Sequence, residues 1–203
     1  MKRLIQISLL FLFVSCAFAQ ETLAPKEKVL RVYDWTHLNV QSPNTNCQIK
    51  IISMDGMSVL KIENTNDAPL FVSLLKIDDS ALIGRADFIS CEMAIENVHE
   101  KNYISTNSDG SIGIGGMFGG RLDLSQVFPP VAAGGDQTTN NPWYNFNGGT
   151  KNWNQYNLDL KRTSYSYANT PTYLELKLYL LASGTVYLRP IKFFGVASSW
   201  WSP

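Results

Sequence analysis

Short runs in which apolar residues alternate with other residues recur along most of this chain, and they constrain its fold more than any other feature. A period of two is typical of strands that bury one face. After residue 19, no window of about 12 residues keeps the 3.6-residue apolar period of a helix. The pattern predicts strands at 29–35, 48–53, 57–64, 70–77, 88–98, 112–124, 156–161, 173–181 and 186–194.

Turn residues separate these runs and no helical crossovers join them, which favours antiparallel sheets packed face to face. Asp55-Gly56 is the strongest turn signal, since this dipeptide supplies the two positive φ angles of a type I′ hairpin. The Ser183-Gly184 break predicts a second hairpin, which pairs the last two strands. We therefore predict an all-β fold, an antiparallel β-sandwich of the jelly-roll type with few short helices.

The two ends of the chain differ from its centre. Two basic residues precede an apolar run at 4–14, and Ala-Phe-Ala at 17–19 is typical of a signal-peptide cleavage site. We predict a signal peptide at 1–19, a polar leader at 20–28, a β-sandwich domain at 29–195 and an aromatic tail at 196–203. A lipoprotein box that ends at Cys16 is an alternative. Either leader predicts an extracytoplasmic protein that is secreted, periplasmic or held at the cell surface.

Composition and spacing argue against several kinds of chemistry. Lys plus Arg and Asp plus Glu balance at 17 each without a long run of either sign, whereas nucleic-acid binding needs clustered basic residues. Two histidines are too few for a three-His zinc site, and no Cys-x-x-Cys motif is present. The glycine-rich run at 110–120 lacks phosphate-loop spacing and predicts a strand with bulges or close backbone approaches. Cys47 and Cys91 are compatible either with one disulfide or with two buried thiols.

Paired carboxylates are the next candidates. Glu92 and Glu96 share one strand face but stand about 13 Å apart at ~3.3 Å per residue. Glycosidase pairs are separated by about 5 to 9.5 Å. A pair assembled from different strands stays open, so a glycoside hydrolase is the less favoured alternative.

The segment 136–157 has the composition of a carbohydrate site. It contains five aromatic residues and seven asparagines, with two charged residues. Aromatic rings stack on the C–H faces of sugars, and neutral amides offer donors and acceptors to hydroxyl groups. Turn formation by asparagine and core packing by the aromatic residues are the competing explanations.

Periodicity separates these explanations in part. If a strand turns Tyr156 and Leu158 to the core, Trp153 falls on the opposite face with Gln155 and Asn157. Trp143 and Tyr144 follow Pro142 in a predicted loop. The candidate ligand-binding residues are therefore Trp143, Tyr144, Trp153, Gln155 and Asn157.

Three stretches resemble the C-terminal half of galactose-binding-domain-like jelly rolls, nearest to non-catalytic carbohydrate-binding modules of bacterial exported proteins. They are 149–160, where a glycine precedes a tryptophan at a strand entry, the leucine-alternating 173–180, and the Gly-Thr turn at 183–188. The resemblance covers about a third of the chain and implies an antiparallel sandwich, a non-catalytic role and often a structural calcium. Many modules have acidic residues at the final strand, where 191–194 is Ile-Lys-Phe-Phe.

These observations predict a non-catalytic module that binds neutral carbohydrate outside the cytoplasm. The alternative is an envelope or surface interaction module that binds a protein partner, because Trp200-Trp201 would suit a partner groove or a membrane interface. No cofactor other than a structural calcium is expected, and we predict neither nucleic-acid binding nor a transmembrane helix in the mature chain.

Overall fold

The computed structural model describes residues 27–37, 40, 45–106, 112–128, 139–140, 142–160 and 171–196. Lys28–Val196 forms one compact unit. The predicted signal peptide, Cys16, most of the polar leader and the tail from residue 197 lie outside the described residues. No helix in the described ranges is both long and apolar enough to span a membrane.

Strands make up most of this part of the chain. They are β1 (Glu27–Tyr33), β2 (Cys47–Met54), β3 (Met57–Asn64), β4 (Leu70–Ile77), β5 (Phe88–Val98), β6 (Lys101–Thr106), β7 (Ile112–Phe118), β8 (Gly120–Val127), β9 (Thr139–Asn140), β10 (Trp143–Phe146), β11 (Gly149–Asp159), β12 (Tyr173–Leu180), β13 (Gly184–Leu188) and β14 (Ile191–Val196). A single 3-10 turn, Trp35–His37, and one short helix, α1 (Ser80–Ile83), are the helical elements within the described ranges.

The described strands form two main sheets and a separate hairpin. The larger sheet has the order β1-β14-β5-β13-β3-β2, and β11 also pairs with β5. The smaller sheet has the order β10-β8-β12-β4, with β9 beside β8, and β6 pairs with β7. The pairs formed among β2 to β14 are antiparallel.

The two main sheets share one hydrophobic core. Alternate residues of β12 are buried, and β3, β5 and β13 of the larger sheet contribute their own buried residues. One cluster contains Leu60, Ile62, Ile89, Met93, Val186 and Leu188 from the larger sheet and Val72, Leu122, Leu124, Leu174, Leu176 and Leu178 from the smaller sheet. Because both sheets bury one face in the same cluster, the predicted antiparallel β-sandwich is confirmed.

The turn between β2 and β3 forms as its sequence predicts. Asp55 and Gly56 have φ angles of 53° and 74°, and Met54 pairs with Met57 directly across the turn. Positive φ at both central residues is the type I′ geometry that matches the twist of the flanking strands.

The predicted closing hairpin is wrong. β12 lies in the smaller sheet between β8 and β4, whereas β13 lies in the larger sheet between β3 and β5. Residues 181–183 therefore carry the chain from one sheet to the other. The buried Asn64 side chain supports this crossing by donating to the carbonyl oxygens of Ala182 and Ala68 at 2.9 and 2.8 Å. Alternation shows that a strand buries one face, but it does not say which sheet the strand joins.

Two predicted strands are each divided. The run at 112–124 is interrupted at Gly119 and forms β7 and β8, and the run at 186–194 is interrupted at Arg189-Pro190 and forms β13 and β14. The predicted close backbone approach is present at Gly120, where an added Cβ would lie 2.4 Å from the Tyr179 carbonyl oxygen.

Cys47 and Cys91 are both buried and form no disulfide bond, so the two-thiol alternative applies. Burial raises the pKa of the Cys91 thiol to about 12, which keeps this thiol protonated and unreactive at neutral pH.

Candidate functional site

Trp143 and Tyr144 belong to a strand and not to the predicted loop. β10 pairs with β8, so that Trp143 lies opposite Asp123 and Tyr144 lies opposite the fully buried Leu122. Adjacent strand residues point to opposite sides of a sheet. Trp143 therefore faces outward. Tyr144 lies at the edge of the sandwich and packs edge-to-face against Tyr156 of β11, with ring centroids 5.8 Å apart.

The outer surface of the smaller sheet carries aromatic and charged side chains in register. One row across the strands consists of Trp143, Asp123, Lys177 and Ser73. The next row consists of Asn145, Arg121, Tyr179 and Phe71. We call these two rows, together with Glu175 and Tyr173 of β12, the aromatic face.

Cations lie against the rings of the aromatic face. The Arg121 guanidinium is 4.9 Å from the Trp143 ring centroid and 6.0 Å from that of Tyr179. Tyr179 and Phe71 form an edge-to-face pair at 4.8 Å. Half of the Trp143 side chain is exposed, at 51%, and Phe71 is 42% exposed. The face thus presents open rings beside groups that donate hydrogen bonds.

The charges on this face are paired. Arg121 Nη2 lies 3.1 Å from Asp123 Oδ2, and Lys177 Nζ lies 3.1 Å from Glu175 Oε2. The Ser73 hydroxyl donates to Glu175 Oε1 at 2.7 Å. Burial raises the pKa of the Asp123 carboxyl above its ordinary value, because the charged form is desolvated and Arg121 offsets only part of that cost.

A cleft of about 140 Å³ opens beside this pair. Its lining consists of Phe118, Arg121, Asp123, Tyr179 and Leu181. Within the described part of the chain, Asp123 Oδ1 and Arg121 Nε have no hydrogen-bond partner, although both atoms are buried. An unpaired acceptor and an unpaired donor therefore belong to the two residues that line the cleft near the half-exposed Trp143 ring.

Trp153, Gln155 and Asn157 lie on the other sheet. In β11, Gln155 is opposite Glu92 and Asn157 is opposite Ser90, while Leu158 is opposite Ile89 of the core. Gln155 and Asn157 are exposed and Leu158 is fully buried. The two amide side chains therefore face outward from the larger sheet, away from the aromatic face.

A bulge and an arginine position the Trp153 ring. The register of β11 against β5 shifts between Lys151 and Asn154, and the half-buried indole of Trp153 lies over the Arg189 guanidinium at 4.2 Å. Arg189 pairs with Glu92 at 2.6 Å and with Asp55 at 3.1 Å, both outward-facing groups. Trp153 is absent from the hydrophobic core cluster. We call Trp153, Arg189, Glu92, Lys192, Gln155 and Asn157 the Trp153 cluster.

The structure thus divides the predicted ligand-binding residues among three places. Trp143 is on the aromatic face, Tyr144 is at the sandwich edge, and Trp153, Gln155 and Asn157 are on the opposite outer surface. Sequence analysis missed the other residues of the aromatic face, among them Phe71, Arg121, Lys177 and Tyr179. A signal for two of them was present, because the leucine alternation of β12 turns Tyr173, Glu175, Lys177 and Tyr179 to one side.

The acidic residues Glu92 and Glu96 are held by other groups. Glu92 accepts from Arg189 and Lys192 at 2.6 and 3.3 Å, and Glu96 accepts from the Tyr187 hydroxyl at 2.6 Å. The Arg189 hydrogen bond lowers the pKa of Glu92. A general acid at neutral pH needs the opposite shift.

Clustered acidic side chains were the remaining candidates for a structural calcium. No three His, Cys, Asp or Glu side chains in these ranges group closely enough to hold a metal ion. Calcium prefers several oxygen ligands, usually including carboxylates.

No protein-family model matches the sequence, and no curated protein matches it. Among solved structures, the chain is similar to a family 11 carbohydrate-binding module of a cellulosomal cellulase of Clostridium thermocellum, at 15% identity and a TM-score of 0.44, covering 85% of this chain and 96% of that one. It is also similar to a xylan-binding domain of Paenibacillus barcinonensis, at 11% identity and a TM-score of 0.41, covering 86% and 99%. A third similar structure is a mannan-recognising carbohydrate-binding module, at 13% identity and a TM-score of 0.40, covering 84% and 98%. Carbohydrate-binding modules are the kind of protein that the C-terminal motifs resemble.

Proposed function

We propose that this protein is a non-catalytic module that binds neutral carbohydrate on the aromatic face, with Trp143 as the main stacking ring. The observation that carries the proposal is the half-exposed Trp143 ring above the Arg121–Asp123 pair. A sugar needs an apolar surface for its C–H face and donors and acceptors for its hydroxyl groups. The aromatic face presents both, because Trp143 and Asp123 lie in one row across the strands and Arg121 lies in the neighbouring row.

The paired charges support a neutral ligand. Arg121 is matched by Asp123 and Lys177 by Glu175, so the face offers charge-assisted hydrogen bonds without a net charge from these four groups. A charged ligand that binds at Arg121 or Lys177 would have to break one of these pairs, whereas a hydroxyl group can bind beside them. Balanced charges thus take the part that the sequence-based hypothesis gave to neutral amides.

The width of the face favours an oligosaccharide over a single sugar. β10 and β4 are three strand spacings apart, which at ~4.8 Å per spacing separates Trp143 from Phe71 by about 14 Å or more. A glycan that runs across the strands would meet Trp143, then the Arg121 and Tyr179 row, and then Phe71. Each stacking contact contributes on the order of 1 kcal/mol, so weak binding is expected.

The test is affinity electrophoresis with hydroxyethylcellulose, xylan, galactomannan and galactan, followed by a neutral glycan array. We expect retardation by at least one polysaccharide and its loss in Trp143→Ala. Val32→Ala is the matched control, because Val32 is also 51% exposed but lies on β1 of the larger sheet. Binding to no neutral glycan, or equal binding by Trp143→Ala and the control, would contradict the proposal.

The finer parts of the sequence-based hypothesis are proposals of the same kind. An extracytoplasmic location rests on the predicted signal peptide at 1–19, and cell fractionation tests it. A protein partner for the tail at 196–203 rests on Trp200-Trp201, and pull-down with and without that tail tests it. We favour the glycan because its supporting groups lie among the described residues.

A further inference from the structure

We infer that the larger sheet carries a second glycan site at the Trp153 cluster, so that one chain holds two glycan chains on opposite surfaces. The inference takes its ligand class, neutral carbohydrate, from the proposed function. The position of this second site goes beyond that function. So does its consequence, which is that one protein bridges two glycans.

The Trp153 ring is held in place before any ligand arrives. Its supporting guanidinium, Arg189, is fixed by Glu92 at 2.6 Å and Asp55 at 3.1 Å, and the Arg189 backbone N–H donates to the Glu92 carbonyl oxygen at 3.0 Å. A ring that is already ordered loses little conformational freedom when a ligand binds. A cation on one ring face leaves the opposite face for the C–H groups of a sugar.

Amide groups lie along the same strand as this ring. Gln155 Nε2 donates to Asn157 Oδ1 at 3.0 Å, and both side chains are exposed. The bond orients the two amides relative to each other. Among the described residues, the Gln155 oxygen and the Asn157 amide hydrogens remain for a ligand, and they are one acceptor and one donor group suited to hydroxyls.

The charge around the ring is balanced. Arg189 and Lys192 contribute two positive charges, and Glu92 and Asp55 contribute two negative charges in direct ion pairs with them. A charged ligand would therefore meet no unmatched partner in this group. A neutral polyhydroxylated ligand needs no unpaired charge on the protein. We therefore assign the same ligand class to both surfaces.

The two sites cannot serve one short oligosaccharide. Trp143 and Trp153 project from the outer surfaces of two sheets that share a core between them, and packed sheets lie about 10 Å apart before the side chains are counted. An oligosaccharide lying on one surface points away from the other. Occupation of both sites by two long glycans would connect those glycans through a single folded unit.

The competing explanation is that Trp153 only covers the ion pairs of Arg189. In that case Trp153→Ala would change the stability of the protein, and the indole of Trp153 would bind no ligand. The two explanations differ in whether the exposed side of the indole meets a sugar, and this difference can be measured directly.

The test is an NMR titration of the indole Nε1–H signals with cellohexaose, xylohexaose, mannohexaose and galactotriose. The Trp143→Ala and Trp153→Ala variants assign the two signals. Trp35 is an internal control, because its Nε1–H is buried and donates to the Leu188 carbonyl oxygen at 2.8 Å. Val32→Ala, on β1, is the matched variant, because it leaves both rings and their ion pairs in place.

We expect both the Trp143 and Trp153 signals to shift with the same probe while the Trp35 signal stays in place. In Trp143→Ala the Trp153 signal should still shift, with its midpoint changed less than twofold, and Val32→Ala should retain both shifts. A Trp143 shift without any Trp153 shift would overturn this inference and leave the proposed function intact. Shifts at neither ring with all four probes would remove both.

Discussion

Trp35 donates its indole Nε1–H to the carbonyl oxygen of Leu188 at 2.8 Å, across 153 residues of chain. The side chain is fully buried, so this hydrogen bond joins the 3-10 turn after β1 to the end of β13 inside the core. A buried bond of this kind is costly to break because the carbonyl oxygen would be left without its partner.

Trp35→Phe should therefore lower the free energy of unfolding by about 2 to 3 kcal/mol, since the substitution leaves an unpaired carbonyl and a small cavity. Urea unfolding followed by circular dichroism measures the change. Trp143→Phe is the matched control at an exposed site, and its effect should stay within about 0.5 kcal/mol. Equal midpoints for the two variants would show that the Trp35 bond contributes little.

Gly120→Ala should destabilise the smaller sheet. The new Cβ would lie 2.3 Å from Phe146 Cζ and 2.4 Å from the Tyr179 carbonyl oxygen, and backbone atoms cannot move away cheaply. We expect a loss of about 1 to 3 kcal/mol by thermal or urea unfolding. Gly116→Ala is the control, since nothing lies within 4 Å of its added Cβ, and its stability should be unchanged or slightly raised. A larger loss of stability in Gly116→Ala than in Gly120→Ala would contradict the close backbone approach at Gly120.

Glu92→Gln should lower stability at neutral pH by about 1 kcal/mol, because Arg189 and Lys192 lose their shared partner. Hydrogen bonding from Arg189 lowers the pKa of Glu92 from its ordinary 4.5. The carboxylate therefore contributes stability above about pH 4.5, and that contribution is lost as the pH falls through the lower folded-state pKa.

Urea unfolding of the wild type and Glu92→Gln from pH 7 to pH 3 measures this dependence. The difference between the two proteins should shrink toward acid. Glu63→Gln, which removes one partly exposed pair with Lys61, is the control, and its effect should be within about 0.5 kcal/mol at pH 7. A difference that is constant over the whole range would mean that the Glu92 charge is not the stabilising group.

Arg121→Lys tests the chemistry of the aromatic face. Lysine keeps the positive charge but lacks the planar guanidinium, which lies over Trp143 and forms an ion pair with Asp123. We expect glycan affinity to fall about fivefold while the fold is retained. Arg31→Lys is the matched control, because Arg31 also lies over a ring, Tyr33, but on the larger sheet. Quantitative affinity electrophoresis of the two variants compares them, and equal affinities would argue against a role for the guanidinium.

The bounds of the strands were predictable where the residues of the strand or of the adjoining turn determine the local structure. The bounds of β3, β4 and β5 follow from alternation alone, and Asp55-Gly56 fixes the β2–β3 hairpin because few dipeptides accept two positive φ angles. β10 was missed because asparagine, proline and glycine surround it, and pairing with β8 overrides their preference for turns.

The candidate site was predictable only in part. Alternation indicated the outward face of Gln155 and Asn157, but the support of Trp153 by Arg189 joins two strands that are distant in sequence. Trp143 and Trp153 are close in the chain and yet belong to different sheets. Proximity in sequence suggested one shared site, and strand pairing, which long-range contacts decide, separates the two rings.

β13 occupies an interior position in the larger sheet, between β3 and β5, although only β14 follows it among the described strands. A nascent chain that ends before residue 184 would hold β3 and β5 without the strand that unites them, each with an unsatisfied backbone edge. We expect assembly of this sheet to wait until residues 184–188 are available, and the long-range pairing that they complete is slow to form. The order of synthesis thus keeps the sheet unfinished until β13 has been made.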